Sequence, residues 1–418
     1  MGFLVRRLAG LLDAATRGWA ILTAGNVLRL AIGFVASVLI ARSLGPTIFA
    51  TFAVLGAIAT IAGAVVDPGL TDAAVQRIAK VWAAEPVVAS ERARAFLWWR
   101  AATALGLGGL GWVVLIAVGA ATGGLPTGDL LALALLGTVA TALSGAIGAI
   151  LQGIGRFGRL AAVGLTNAAL TAVLAVILAA LGRLTLVTAL VVLGIGTSLA
   201  AFIVGCALLP RDWRLGVPGW AVLRAEGLAL VRVGRWLWLA HSAALLAAQL
   251  DLLLVNHWRD AAETGMYALA LNLAAKADIV NGGLYTVLLP AAAALAGPGA
   301  VRHYLRRGFV RSGLIALALL PTGLLIGWFI DTFYGTDYHP AARLYQLLLA
   351  VVIFDLLTTP LVLLAYHHQR PQLLAGADLL RVVVLLAVGA VLIPAAGPLG
   401  GVTGAVVARL VAKAAGVL

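Results

Sequence analysis

The stretch Trp19–Val66, WAILTAGNVLRLAIGFVASVLIARSLGPTIFATFAVLGAIATIAGAVV, holds two apolar runs, 19–41 and 46–66, joined by Ala41-Arg42-Ser43-Leu44-Gly45. Crossing a hydrocarbon layer roughly 30 Å thick takes about 20 predominantly apolar residues in a helix. Each run has that length, so the stretch reads as two consecutive membrane crossings around a short polar turn. Working outward, comparable runs recur at 98–120, 129–151, 160–181, 185–208, 235–255, 264–290, 309–331, 341–365, 371–393 and 396–416. The last is interrupted by Gly400, Gly401 and Gly404, and its Arg409 and Lys413 are expected to snorkel to the membrane surface.

Composition agrees with the pattern. The 418-residue chain is 63% hydrophobic and 11% charged, with mean hydropathy +1.07, whereas a soluble domain is about 45–50% apolar and about 25% charged. The sequence therefore predicts an all-α polytopic membrane protein of about twelve transmembrane helices, with no polar stretch long enough for a soluble domain. The net charge of +13 sits in short clusters between apolar runs, a topological pattern and not a nucleic-acid-binding patch. With an internal N-terminus the outer loops hold only Arg42, Arg183, Arg259 and Arg343; Arg29, Lys276 and Arg381 lie inside runs, and every other cation falls on the inner side. Both termini are then cytoplasmic. Residues 1–18 read as an amphipathic lead-in along the inner membrane face. The single cysteine, Cys206, cannot form an internal disulfide.

The inner loop 209–234 divides the chain into an N-lobe, 19–208, and a C-lobe, 235–418, of six helices each. A faint repeat supports this. Ala41–Gly45 before Phe49-Ala50-Thr51-Phe52-Ala53 matches Asn256–Glu263 before Thr264-Gly265-Met266-Tyr267-Ala268, and Asp67-Pro68-Gly69-Leu70 matches Asn281-Gly282-Gly283-Leu284. Copies separated by an even number of helices insert in the same sense, a parallel repeat.

Ionisable groups in hydrocarbon are costly and mark pathways or partners. Arg29 lies about eleven residues into the first helix, about 16 Å deep at 1.5 Å per residue. It shares a stripe with Gly25, Gly33 and Ser37, with Asn26 alongside. Asn272 and Lys276 form a second stripe. These cations either bind an anionic substrate or pair with an internal carboxylate such as Asp278 or Asp355. Asp251 is either a site coupling transport to an ion gradient or a hydrogen-bond acceptor between helices. Asp378 and Arg381, three residues apart, suit a local ion pair. Asp67 suits a helix cap or a partner for a loop arginine such as Arg77. His241 reads as an interhelical hydrogen-bonding group, and Pro321 and Pro360 as kinks.

The ordered set Asn26-Val27-Leu28-Arg29, Ala41-Arg42-Ser43-Leu44-Gly45-Pro46, Asp67-Pro68-Gly69-Leu70, Gln249-Leu250-Asp251, Gly265-Met266-Tyr267-Ala268 and Leu289-Pro290 resembles the Wzx-like polysaccharide flippases, in the superfamily of multidrug, oligosaccharidyl-lipid and polysaccharide exporters. Ala50 stands where that family usually has Gly, and two C-terminal helices of many relatives are missing. The resemblance implies two six-helix lobes around a central cavity of the MOP or MATE type. It also implies a substrate, an isoprenoid-pyrophosphate-linked oligosaccharide moved from the inner to the outer leaflet, and neighbours among polysaccharide polymerases, glycosyltransferases and membrane lipids.

Three readings differ in class: this flippase, a related exporter of another lipid-linked precursor or of small drugs, and a membrane glycosyl-transfer enzyme. A cationic-drug exporter would want an acidic cavity, against Arg29 and Lys276. The outer connections are too short for the catalytic domain of an envelope polymerase. No nucleotide-binding loop, metal-binding cluster or nucleophile elbow occurs, so neither ATP hydrolysis nor a cofactor is expected.

Overall fold

The computed structural model describes residues 2–67, 69–122, 128–210, 213, 216–293, 298–364, 371–395 and 400–417, with side chains described from Ala24 onward except at 107, 112, 114–122, 233, 235–237, 240, 286–287, 289–291, 293, 298 and 371–375. The described residues are helical and contain no strand. The helices are α1 (Gly2–Val66), α2 (Leu70–Trp82), α3 (Pro86–Thr122), α4 (Gly128–Gly153), α5 (Phe157–Ala180), α6 (Leu186–Leu208), α7 (Trp220–Trp258), α8 (Ala261–Ala293), α9 (Pro298–Phe333), α10 (Ala341–Val362), α11 (Pro371–Leu392) and α12 (Gly401–Ala415). Among the described residues six stretches meet a strict length-and-hydropathy test for crossing a membrane; one of them, Ala24–Val66, spans both of the first two runs. The chain is a polytopic helical membrane protein. The side chains of the lead-in, including Arg6, Arg7 and Arg17, lie outside the described residues, as do Arg211, Arg214, Arg370 and 396–399.

α1 is two helices separated by a kink at Gly45, whose φ of 68° and ψ of 168° suit glycine and almost no other residue. Pro46 follows, where a missing N–H and a fixed φ start a new helix at no loss. Chain contacts gather into two compact units, residues 1–43 with 62–238, and 44–61 with 239–418.

In the first unit the core joins α2, α3, α4 and α6. Leu70, Ala73, Ala74 and Ile78 of α2 meet Ala93 and Phe96 of α3, Ile147 and Ile150 of α4 and Ala201 of α6. The opposite side of α2 carries Gln76, Arg77 and Lys80; thirteen residues of this amphipathic kind are a surface helix, too short and too charged to span. Sequence reading places these residues in an inner loop, because a search for apolar runs does not register an amphipathic helix. The same blindness explains why α3, α7 and α9 begin before their apolar runs. α6 contains a π-helical segment, Ala189–Gly196. Hydroxyls tie its continuation to neighbours, Thr197 to Thr171 of α5 at 3.1 Å and Ser198 to Thr141 of α4 at 3.3 Å, interhelical polar contacts of the kind that replace hydrophobic driving force in lipid.

Asp67 closes the α1–α2 junction. Its Oδ1 accepts from the Thr71 N–H at 3.2 Å, and Arg100, 5% exposed, bonds the Val66 carbonyl at 2.6 Å with its other guanidinium nitrogen 3.6 Å from Asp67. Arg77 instead forms a two-point pair with Glu226, at 2.8 and 2.9 Å, and Arg92 lies 3.3 Å from the same carboxylate.

In the second unit Gly265 lies against the Pro46 carbonyl so closely that a methyl group would overlap it, and Phe49 meets Tyr338 edge to face. Burial beside Asp337 raises the Tyr338 pKa and keeps the phenol neutral. α8, α9 and α10 enclose Leu288, Ala316 and Leu356. α11 and α12 pack so closely that a Cβ on Gly404 would lie 2.8 Å from the Leu392 carbonyl oxygen. Pro321 and Pro360 lie inside α9 and α10.

Candidate functional site

The second unit carries a polar network in two groups, one helical turn apart on α12. Asp251 of α7 is 0% exposed. Its Oδ1 accepts from the Leu252 N–H at 2.9 Å, while Oδ2 accepts from the Tyr267 hydroxyl of α8 at 2.6 Å and from Arg409 of α12. One helical turn further along α12, Lys413 donates to Asp355 of α10 at 2.6 Å. Asn281 of α8 reaches the same carboxylate oxygen at 3.3 Å and accepts from Thr359 at 2.7 Å. Asp378 and Arg381 of α11 pair at 2.9 Å.

Arg409 and Lys413 therefore do not snorkel. Four residues apart, they share one face of α12, and that face turns inward because a buried carboxylate, Asp251, and a part-buried one, Asp355, wait there. A buried carboxylate without a cation would be far more costly than the exposure that snorkelling gains. The spacing of two cations in an apolar helix was the available signal; their partners, 158 and 58 residues away, were not legible. Tyr267, Asn281 and Thr359 were likewise unforeseen members. Asp278 lies beside this network with its Oδ1 buried and without a hydrogen-bond partner among the described residues.

Lys276 donates to Asn272, its neighbour one turn earlier on α8. In the first unit Arg29 is exposed along α1, as are Asn26, Val27 and Leu28. Among the described residues it forms no ion pair. Its side chain lies over Gly164 of α5, where a Cβ would come within 3.5 Å of Cδ and 3.7 Å of Nη1. Gly25, one turn earlier, packs on Ala161 with similar closeness. The small residues of α5 thus make room for a guanidinium without neutralising it. No group of three or more potential metal ligands occurs among the described residues.

Residues 15–296 match the family of polysaccharide biosynthesis proteins, two thirds of the chain. The chain belongs to that family. No curated protein matches it. Solved structures share its fold along nearly the whole length. An inward-facing multidrug resistance MATE transporter of the MOP superfamily is 15% identical at a TM-score of 0.67, covering 93% of this chain and 96% of that one. A eukaryotic MATE transporter gives 15% and 0.64, covering 97% and 95%. A MOP superfamily transporter from Pyrococcus furiosus, described as having a binding pocket of reverse polarity that suggests a different function, gives 17% and 0.62, covering 96% and 93%. This member of the polysaccharide biosynthesis family has a MATE-like fold, and family and fold together support a membrane exporter.

Proposed function

We propose that this exporter moves an oligosaccharide carried on an isoprenoid pyrophosphate from the inner to the outer leaflet of the cytoplasmic membrane, both termini lying inside, by alternating access of the lobes 19–208 and 235–418. The observation that carries the reading is Arg29, a guanidinium about 16 Å into a membrane helix that no carboxylate neutralises among the described residues. A pyrophosphate needs such a partner to leave water, and a guanidinium binds phosphate oxygens in two-point fashion. Asn26 beside it, and Lys276 with Asn272 on α8, supply further donors. Membership of a polysaccharide biosynthesis family supports a sugar cargo. The Pyrococcus furiosus transporter, with its pocket of reverse polarity, supports the idea that pocket charge follows cargo within this fold.

Replacing Arg29 by alanine is expected to leave insertion intact and to abolish delivery of polymer to the cell surface, with lipid-linked intermediate accumulating inside; Arg29→Lys keeps part of the export. Surface polymer at the wild-type level in the alanine variant would remove Arg29 from the site and the reading with it.

A further inference from the structure

We propose that the second unit holds, at the α7–α8 and α11–α12 ends, a binding site for the phosphate ester of an outer-leaflet lipid. A cavity of about 360 Å³ opens there, within the range of small-ligand pockets. Its walls come from three places far apart in the chain: Arg259 and Glu263 at the α7–α8 turn, Arg343 in the first turn of α10, and Gly401 and Thr403 at the start of α12, with Met266 among the apolar residues.

The cationic side of the cavity is built, not incidental. Glu263 holds Arg259 at 2.6 Å through Nε and 3.3 Å through Nη2, and the guanidinium rests on bare backbone, since a Cβ on Gly401 would lie 3.1 Å from Nη2. Gly401 has φ +62°, so its backbone conformation favours glycine. Arg343 is exposed and has neither hydrogen bond nor ion pair among the described residues. Two arginines face one glutamate, so the lining is net positive, and the N–H groups opening α12 add to that field.

Topology sharpens the point. Outer loops are poor in Lys and Arg, and Arg259 and Arg343 are the outer-side cations that the sequence assigns to this unit. Both line the same cavity although 84 positions separate them. The ends of spanning helices lie at headgroup depth, where the abundant anions are lipid phosphates. The site goes beyond the export reading and rests on it only for the orientation of the chain; the phosphate could belong to the exported lipid-linked product or to an ordinary anionic phospholipid.

The test uses the full-length purified chain in nanodiscs of neutral lipid, carrying Arg29→Ala so that the midplane cation contributes nothing. A polyisoprenyl pyrophosphate and phosphatidylglycerol are each titrated and binding is read by native mass spectrometry. Adding Arg343→Gln is expected to weaken binding about tenfold, and Val402→Trp, which fills the cavity, to weaken it at least as much. Arg42→Gln, an equal loss of charge on the outer side of the other unit, is expected to change nothing. Preference for the isoprenoid pyrophosphate assigns the site to the product, and equal affinities assign it to headgroups in general; both support a phosphate-ester site. Absence of binding, unchanged affinity in Arg343→Gln and Val402→Trp at wild-type melting temperature, or an equal loss in Arg42→Gln overturns it, and none of these touches the export phenotype of Arg29→Ala.

Discussion

At the scale of single residues the decisive fact is which buried charges are satisfied. Asp251, Tyr267 and Arg409 form a closed set in which both carboxylate oxygens are occupied. Such a pair adds little over an apolar substitute, but removing one member strands the other. Arg409→Ala is therefore expected to destabilise the protein by about 3–5 kcal/mol, seen as a lower melting temperature and yield in detergent. Asp251→Asn should lose less, because an amide oxygen still accepts from Tyr267. A larger loss from Asp251→Asn than from Arg409→Ala would contradict this account. For Asp251 to couple transport to an ion gradient, it would have to release Arg409 within each cycle. Arg29 is the opposite case, a guanidinium accommodated by glycine and paired with no carboxylate among the described residues. The sequence located both residues, since a charge in an apolar run is visible by itself. It could not tell them apart, because the difference is whether a cation or carboxylate arrives from a distant helix.

At the scale of elements, the twelve apolar runs correspond one for one to helical segments, the first two within α1 on either side of Gly45. Run length is a direct consequence of bilayer thickness, which is why the crossings were readable one at a time. What escaped were helices whose stability comes from amphipathic contact at the surface, α2 above all. Close approach between elements was equally hidden, since a glycine in sequence does not say what lies opposite. Gly265 and Gly404 are the informative cases: each faces a carbonyl, Pro46 and Leu392 respectively, and not a yielding side chain. Gly265→Ala must therefore push the start of the 46–61 helix away from α8. A loss of about 1–3 kcal/mol is expected, the usual range for overpacking. Gly282→Ala, with nothing within 4 Å of the added methyl group, is the control. If both variants melt alike, Gly265 is not a packing contact.

For the whole molecule, export requires a defined sense of insertion, and that sense rests on the distribution of cations. The positive-inside rule counts Lys and Arg in short loops, and the sequence leaves four for all the outer connections together. An error in the number of crossings would exchange inner and outer loops beyond the point of error and mix the two sets. Among the described residues each apolar run falls on a helical segment, in agreement with the count, and orientation is left to be measured. The chain's single cysteine, Cys206, is half-buried within α6, so a Cys206→Ser background provides clean labelling. Cysteines introduced singly at Asp129 and Asp337 are expected to react with a membrane-impermeant maleimide in intact cells, and those at Glu85 and Arg156 only after permeabilisation; all four positions are exposed. The complementary pattern would invert the protein, placing the cavity at Arg259 and Arg343 on the cytoplasmic side, where lipid phosphate is equally available but no exported product arrives. Labelling of Asp129 and Arg156 from the same side would instead mean that α4 does not cross, which would break the count there and with it the parallel repeat that the sequence suggests.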